Sequence, residues 1–192
     1  MCNLGPDWQR LPDGTAFRTA ARVVALDSAG RVLLARGHDA DQTERTWWFT
    51  IGGGIEPGES PREAAVRELA EESGLVVQPS ALVGPVLNRE AEFDFFAETV
   101  RQDEVFFLAQ VDSAATLSTE GWTAVERGFM DELDWWHAED LAQVQVEVFP
   151  AQLPELVQRW RSGWDGQVLQ LGLQQEGGAR PPADDGAERH GR

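Results

Sequence analysis

Between Ser60 and Gly74 the chain specifies both ends of a helix and the chemistry of one of its faces. Ser60-Pro61-Arg62-Glu63 sets a capping hydroxyl three residues before a glutamate, so that each side chain satisfies an orphan backbone N–H of the first turn. Pro61 suits the first helical position, where no N–H is needed, and Gly74 supplies the residue that ends a helix. The pattern predicts a helix from Pro61 to Ser73. Ala65, Val66 and Leu69 form its apolar stripe, while Glu68, Glu71 and Glu72 project from a neighbouring face by the i, i+3, i+4 relation. Like charges at those spacings each cost a helix about 0.2–0.5 kcal/mol, so the three carboxylates are unfavourable neighbours unless a cation offsets them. Oxygen ligands alone select a hard ion, Mg2+ or Mn2+, over a thiophilic one.

Strands surround this helix in the sequence. Phe17 to Leu26 and Arg31 to Arg36 are apolar, β-branched runs joined by Asp27-Ser28-Ala29-Gly30, which reads as a hairpin. Trp47-Trp48-Phe49 then leads into Gly52-Gly53-Gly54, a backbone turn immediately before the helix. Further strands are expected at Leu82 to Asn88, Ala91 to Phe96, Val105 to Val111 and Gly128 to Trp136. Leu153, Leu156, Val157 and Trp160 recur at helical spacing and predict a second amphipathic helix that packs on the sheet. The expected organisation is a flexible arm over 1–15, one domain over 16–165 and a disordered tail over 174–192, rich in Gln, Gly, Pro and acids.

Charge narrows the partners. Thirty-three acidic against 16 basic residues give a formal charge of -17, which disfavours extended contact with a nucleic-acid backbone. A small phosphorylated ligand is compatible, because a bound cation supplies positive charge that the side chains lack. With Cys2 as the single cysteine and only His38, His137 and His190 besides, neither an intrachain disulfide nor a thiolate zinc site is available. No leader-like or membrane-spanning stretch is visible, so the cytoplasm is the expected compartment.

From Gly53 the chain places five residues before Glu59 and seven more before Arg67-Glu68-Leu69-Ala70-Glu71-Glu72-Ser73-Gly74-Leu75. This segment resembles the Nudix box, G-x5-E-x7-R-E-U-x-E-E-x-G-U with U aliphatic, at every fixed position. A looser likeness extends over Phe17 to Arg161. The resemblance implies an α+β fold, an α/β/α sandwich with a mixed β-sheet between helices. It also implies a metal-dependent hydrolase of a diphosphate bond in a nucleoside diphosphate linked to another moiety, often as a homodimer. By the same resemblance Glu68, Glu71 and Glu72 are the ligands of Mg2+ or Mn2+, Arg67 orients the glutamates, Glu59 braces the loop and Gly53 lets the backbone approach the metal. One of these three ligand glutamates or a downstream loop acid accepts the proton from water, and the position varies between subgroups. Glu104, Glu120 and Glu126 are the further acids considered for it, Glu104 foremost.

Outside the box the residues leave alternatives open. Arg18 and Arg22 share a strand face, aimed at a phosphate or paired with surface acids. Gln102 and Glu104 share another, looking into a cleft or into solvent. Of Trp47, Trp48, Trp135 and Trp136 at least half are expected in the core, with one free to stack on a nucleobase, and Phe93 and Phe95 are expected in the core. Subgroup markers are missing: there is no tyrosine for a diadenosine-polyphosphate motif. A non-catalytic nucleotide or nucleotide-sugar sensor on the same fold is the competing function. An isoprenoid diphosphate isomerase would need a buried cysteine, which Cys2 in the arm does not provide.

Overall fold

The computed structural model describes residues 4–5, 7–39, 42–95 and 98–176. Its strands are β1 (Gln9–Arg10), β2 (Ala16–Leu26), β3 (Val32–His38), β4 (Thr46–Gly54), β5 (Val83–Phe95), β6 (Glu98–Gln110), β7 (Met130–Trp136), β8 (Glu147–Phe149) and β9 (Leu169–Glu176). Three α-helices, α1 (Pro61–Ser73), α2 (Ala138–Leu141) and α3 (Leu153–Trp160), and two 3-10 turns, Pro79–Ala81 and Glu126–Gly128, complete the described elements. The sheet runs β7-β3-β4-β2-β6-β5-β9, with β1 on β2 and β8 on β4. It is mixed, since β2 and β6, β5 and β9, and β4 and β8 pair in parallel while the remaining neighbours are antiparallel.

Alternation along β2 divides the interior into two layers. Ala21, Val23 and Ala25 face α1, where Ala64, Ala65 and Leu69 close one core. Val24 and Leu26 face the other way, against Leu141 of α2 and Leu153, Leu156, Val157 and Trp160 of α3. Helices therefore cover both faces, and the fold is the α/β/α sandwich that the box implied. Truncating Leu69, which is fully buried, removes a side chain worth about 2–5 kcal/mol.

α1 begins and ends as its capping pattern requires. Ser60 accepts from the Glu63 N–H, Glu63 accepts from the Ser60 N–H, and Gly74 closes the helix at φ 75°. Elsewhere the sequence reading divides the chain differently from the structure. The two strands expected at Leu82 to Asn88 and Ala91 to Phe96 are one long strand, β5, zipped along β6 with an irregularity between Val83 and Leu87.

Both ends of the chain also depart from expectation. Gln174, Gln175 and Glu176, assigned to the tail, belong to β9 and extend the sheet in parallel beside β5; the rest of that segment, 177–192, lies outside the described residues. Polar composition misled here because an edge strand keeps one face in solvent. The arm is likewise not loose where it is described: β1 pairs with the start of β2, and Arg10 bonds Glu98. No helix among the described residues is long and apolar enough to cross a membrane.

Candidate active site

The turn between β4 and α1 places a backbone and two acids against one another. Gly52 has φ +133° and donates its N–H to Glu72 at 2.8 Å, while a Cβ at that position would meet the Ala21 carbonyl. A Cβ on Gly53 would lie only 2.8 Å from Glu68 Oε1, so glycine is what allows this carboxylate to press against the strand. Glu68 and Glu72 are both buried.

A third acid comes from the loop before β7. Trp122 Nε1 donates to the Glu72 carbonyl at 2.8 Å and Ser118 N–H to the Ser73 carbonyl at 2.9 Å, which docks the loop on the end of α1. Glu126 then reaches the helix acids: ligand oxygens of Glu68, Glu72 and Glu126 lie within 4.8 Å of one another. Thr123-Ala124-Val125-Glu126 forms its own capping box, with Glu126 accepting the Thr123 N–H and Thr123 Oγ1 accepting the Glu126 N–H. That T-x-x-E spacing was present in the sequence and marks the local turn, but it carries no signal that the acid would meet the helix.

Glu71 is not brought into this trio. Its carboxylate is half exposed and accepts from Arg67 at 3.0 Å, one helical turn away. Arg67 is the hub of the turn and uses all five of its N–H donors: two to Glu59, one each to Glu68 and Glu71, and one to the Gly54 carbonyl. The hydrogen bonds from Arg67 hold the Glu59 carboxyl below its usual range. Burial, only partly countered by Arg67, raises Glu68. Glu72 lies well above the carboxylate range because burial and the Glu68 charge outweigh its bond to Gly52. Two buried acids that resist ionising side by side fit a divalent cation, whose charge reverses the penalty.

Beside the acids lies a cavity of about 650 Å³. Its floor is a row of buried and part-buried ions drawn from four strands. Arg22 Nε bonds Glu104 at 2.9 Å and its Nη1 bonds the Gly52 carbonyl; Arg89 bonds both Glu104 and Glu176. Gln102, also buried, accepts from Arg18. Gln102 and Glu104 thus face the cleft and not solvent. Glu104, the foremost sequence candidate for general base, has both oxygens engaged by guanidiniums. Burial would raise its pKa, but the Arg89 and Arg22 charges and bonds prevail and lower it. A carboxylate held in this way is a poor proton acceptor. Glu120 is exposed and offers its carbonyl to Arg127.

Arg18 and Arg22 both line the cavity, yet each already carries an internal acid, Asp7 and Glu104 respectively. Arg89, Asp7, Trp8 and Glu176 line it too and were not foreseen. Of the tryptophans, Trp48 is buried and packs edge-on against Trp136 at 5.1 Å, whereas Trp47 lines the cavity with Phe49, Phe129 and Phe149. Phe93 lines the cavity as well, contrary to its expected core position. The side chain of Phe95 lies outside the described residues.

Comparison with known proteins agrees with this architecture. The family model of the NUDIX domain matches residues 16–159. The chain belongs to the NUDIX family. An RNA pyrophosphohydrolase of Halorhodospira halophila is 29% identical over 160 residues, 75% of this chain and 82% of that protein. One of Dinoroseobacter shibae is 43% identical, but over 70 residues, 35% of this chain and 42% of its own length. Among solved structures, a MutT protein from Methanosarcina mazei Go1 superposes with a TM-score of 0.51 at 22% identity, covering 74% of this chain and 91% of the other. The enzyme class that follows is a Nudix pyrophosphohydrolase.

Proposed function

We propose that this Nudix protein hydrolyses the diphosphate bond of a nucleoside diphosphate linked to another moiety, with a divalent cation held by Glu68, Glu72 and Glu126. The carrying observation is the convergence of those three carboxylates within 4.8 Å beside the cavity. The cation, Mg2+ or Mn2+, would supply Lewis acidity toward a phosphoryl oxygen and neutralise charge on the leaving phosphate. The chain's own residues do the rest. Arg67 keeps Glu59 and Glu68 in place, as a supporting partner orients a ligand. Glu126 is the least buried of the three acids, so a proton taken from the attacking water can pass from it to solvent. Water oxygen bonds to one phosphorus, the P–O–P bridge breaks, and the bridging oxygen leaves with the other phosphate.

Trp47, Phe49, Phe129 and Phe149 give the cavity an aromatic wall suited to a nucleobase. A specific observation favours one other substrate. Relatives bear the name RNA pyrophosphohydrolase, so the terminal phosphates of an RNA 5′ end belong in any trial beside small nucleotides, despite the charge of -17. Incubation with Mg2+ and a panel of nucleoside diphosphate derivatives, dinucleoside polyphosphates and a 5′-triphosphorylated oligoribonucleotide, read by product mass, tests the reading. Cleavage at a P–O–P bridge is expected. Tight nucleotide binding without product in Mg2+ or Mn2+ would instead identify a sensor.

A further inference from the structure

The N-terminal segment delivers a carboxylate into the cleft. β1 pairs with β2 through Gln9 opposite Phe17 and Arg10 opposite Ala16, a hairpin that folds the preceding residues back along β2 toward the glycine turn. There Asp7 accepts from Arg18 Nη1 at 2.7 Å, and the Trp8 ring lies 4.5 Å from the Arg18 guanidinium carbon. The Asp7 carboxylate occupies the notch beside Gly54, where a Cβ would stand 2.2 Å from its Oδ2. Leu4, Gly5, Asp7 and Trp8 all line the same cavity as the metal-site acids.

The three floor arginines differ in where their acids come from. Arg22 and Arg89 share Glu104 of β6, and Arg89 also takes Glu176 of β9, so both are fixed by strands of the sheet. Arg18 takes its carboxylate from a segment outside the long strands, and it is also held by Gln102, a neutral side chain of β6. Removal of Asp7 therefore leaves the Arg18 guanidinium positioned and its charge available. A guanidinium pairs with phosphate oxygens through the same forked geometry that it offers a carboxylate, and phosphate carries more charge.

We propose, resting on the diphosphate reading above, that Arg18 is a phosphate-binding post of the cleft and that Asp7 is its built-in competitor, displaced when a substrate phosphate binds. The arm then sets the affinity of the site without taking part in the chemistry.

Calorimetric titration of the full chain with inorganic pyrophosphate and Mg2+ reads binding independently of nucleotide turnover. Asp7→Asn is expected to bind pyrophosphate about two- to fivefold more tightly, the upper part of the range for a solvent-accessible ion pair. Arg18→Ala is expected to weaken binding and to abolish the gain from Asp7→Asn in the double variant. Trp8→Ala, which loosens the arm without changing its charge, is expected to act in the same direction and serves if Asp7→Asn folds poorly. Peptides spanning residues 4–10 are expected to exchange backbone hydrogens faster when pyrophosphate is bound. Unchanged or weaker binding by Asp7→Asn, no measurable binding by either protein, or slower exchange of the arm would overturn the proposal and leave Asp7 as a structural brace. Tighter binding by Asp7→Asn without cleavage of any diphosphate compound would instead count against the hydrolase reading alone.

Discussion

Glu72 and Glu104 are the same residue type at the same depth, 3% and 2% exposed, yet they sit at opposite electrostatic extremes. Glu72 has another carboxylate beside it and a single backbone N–H on its own, and burial holds it well above the ordinary range. Glu104 lies between two guanidiniums, which overcome the same burial. The first is an incomplete arrangement awaiting positive charge. The second is already neutralised and serves as a rigid floor. Burial alone therefore does not mark a reactive acid; the charge left uncompensated around it does.

The sharpest way to break this contrast is Glu104→Gln, which leaves Arg22 and Arg89 sharing a neutral amide. Loss of one partner from a buried pair costs about 3–5 kcal/mol, to be measured by urea unfolding. Because the folded pKa of Glu104 is depressed, its contribution is present above the unfolded carboxyl range and is lost as pH falls through the folded value. The variant's deficit should therefore shrink in acid. Glu72→Gln should behave in the opposite sense. Turnover is expected to fall by about 10²–10³-fold, the scale of removing one electrostatic stabiliser, while the metal-free protein should be no less stable, since a buried like-charge pair is relieved.

Addition of Mg2+ at about a hundred times its Kd should stabilise the wild type by about 2.7 kcal/mol in a thermal melt, and Glu72→Gln by far less. Equal stabilisation of both proteins would place the cation elsewhere. The smallest effect is expected for Glu71→Gln. This acid lies outside the trio and touches it only through Arg67, so its rate loss should stay under about tenfold, below the roughly 10–100-fold typical of partners that orient a ligand directly. A loss as large as that of Glu72→Gln would restore Glu71 to the ligand set.

What the sequence disclosed follows the distance along the chain over which each interaction acts. α1, its caps, the Arg67–Glu59 brace and the Gly53 approach all lie within one contiguous stretch, and their fixed spacings made them readable. The sandwich was legible through the box, whose resemblance implied it, while the periodicity of α3 added that one helix buries an apolar face on the sheet. The floor was not. Arg89, Glu104 and Glu176 come together only when β5, β6 and β9 align, and nothing local distinguishes Arg89 from a surface arginine. The helix acids illustrate the same limit: spacing set Glu68, Glu71 and Glu72 side by side, but it could not show that a distant loop brings Glu126 to Glu68 and Glu72 while Glu71 stays half exposed against Arg67.

Glu176 stands on β9, beyond the residues 16–159 that match the family model. Part of the cleft floor thus lies outside the stretch that the family model matches. Heritable change there can retune what the floor accepts while the box, its caps and its acids stay untouched.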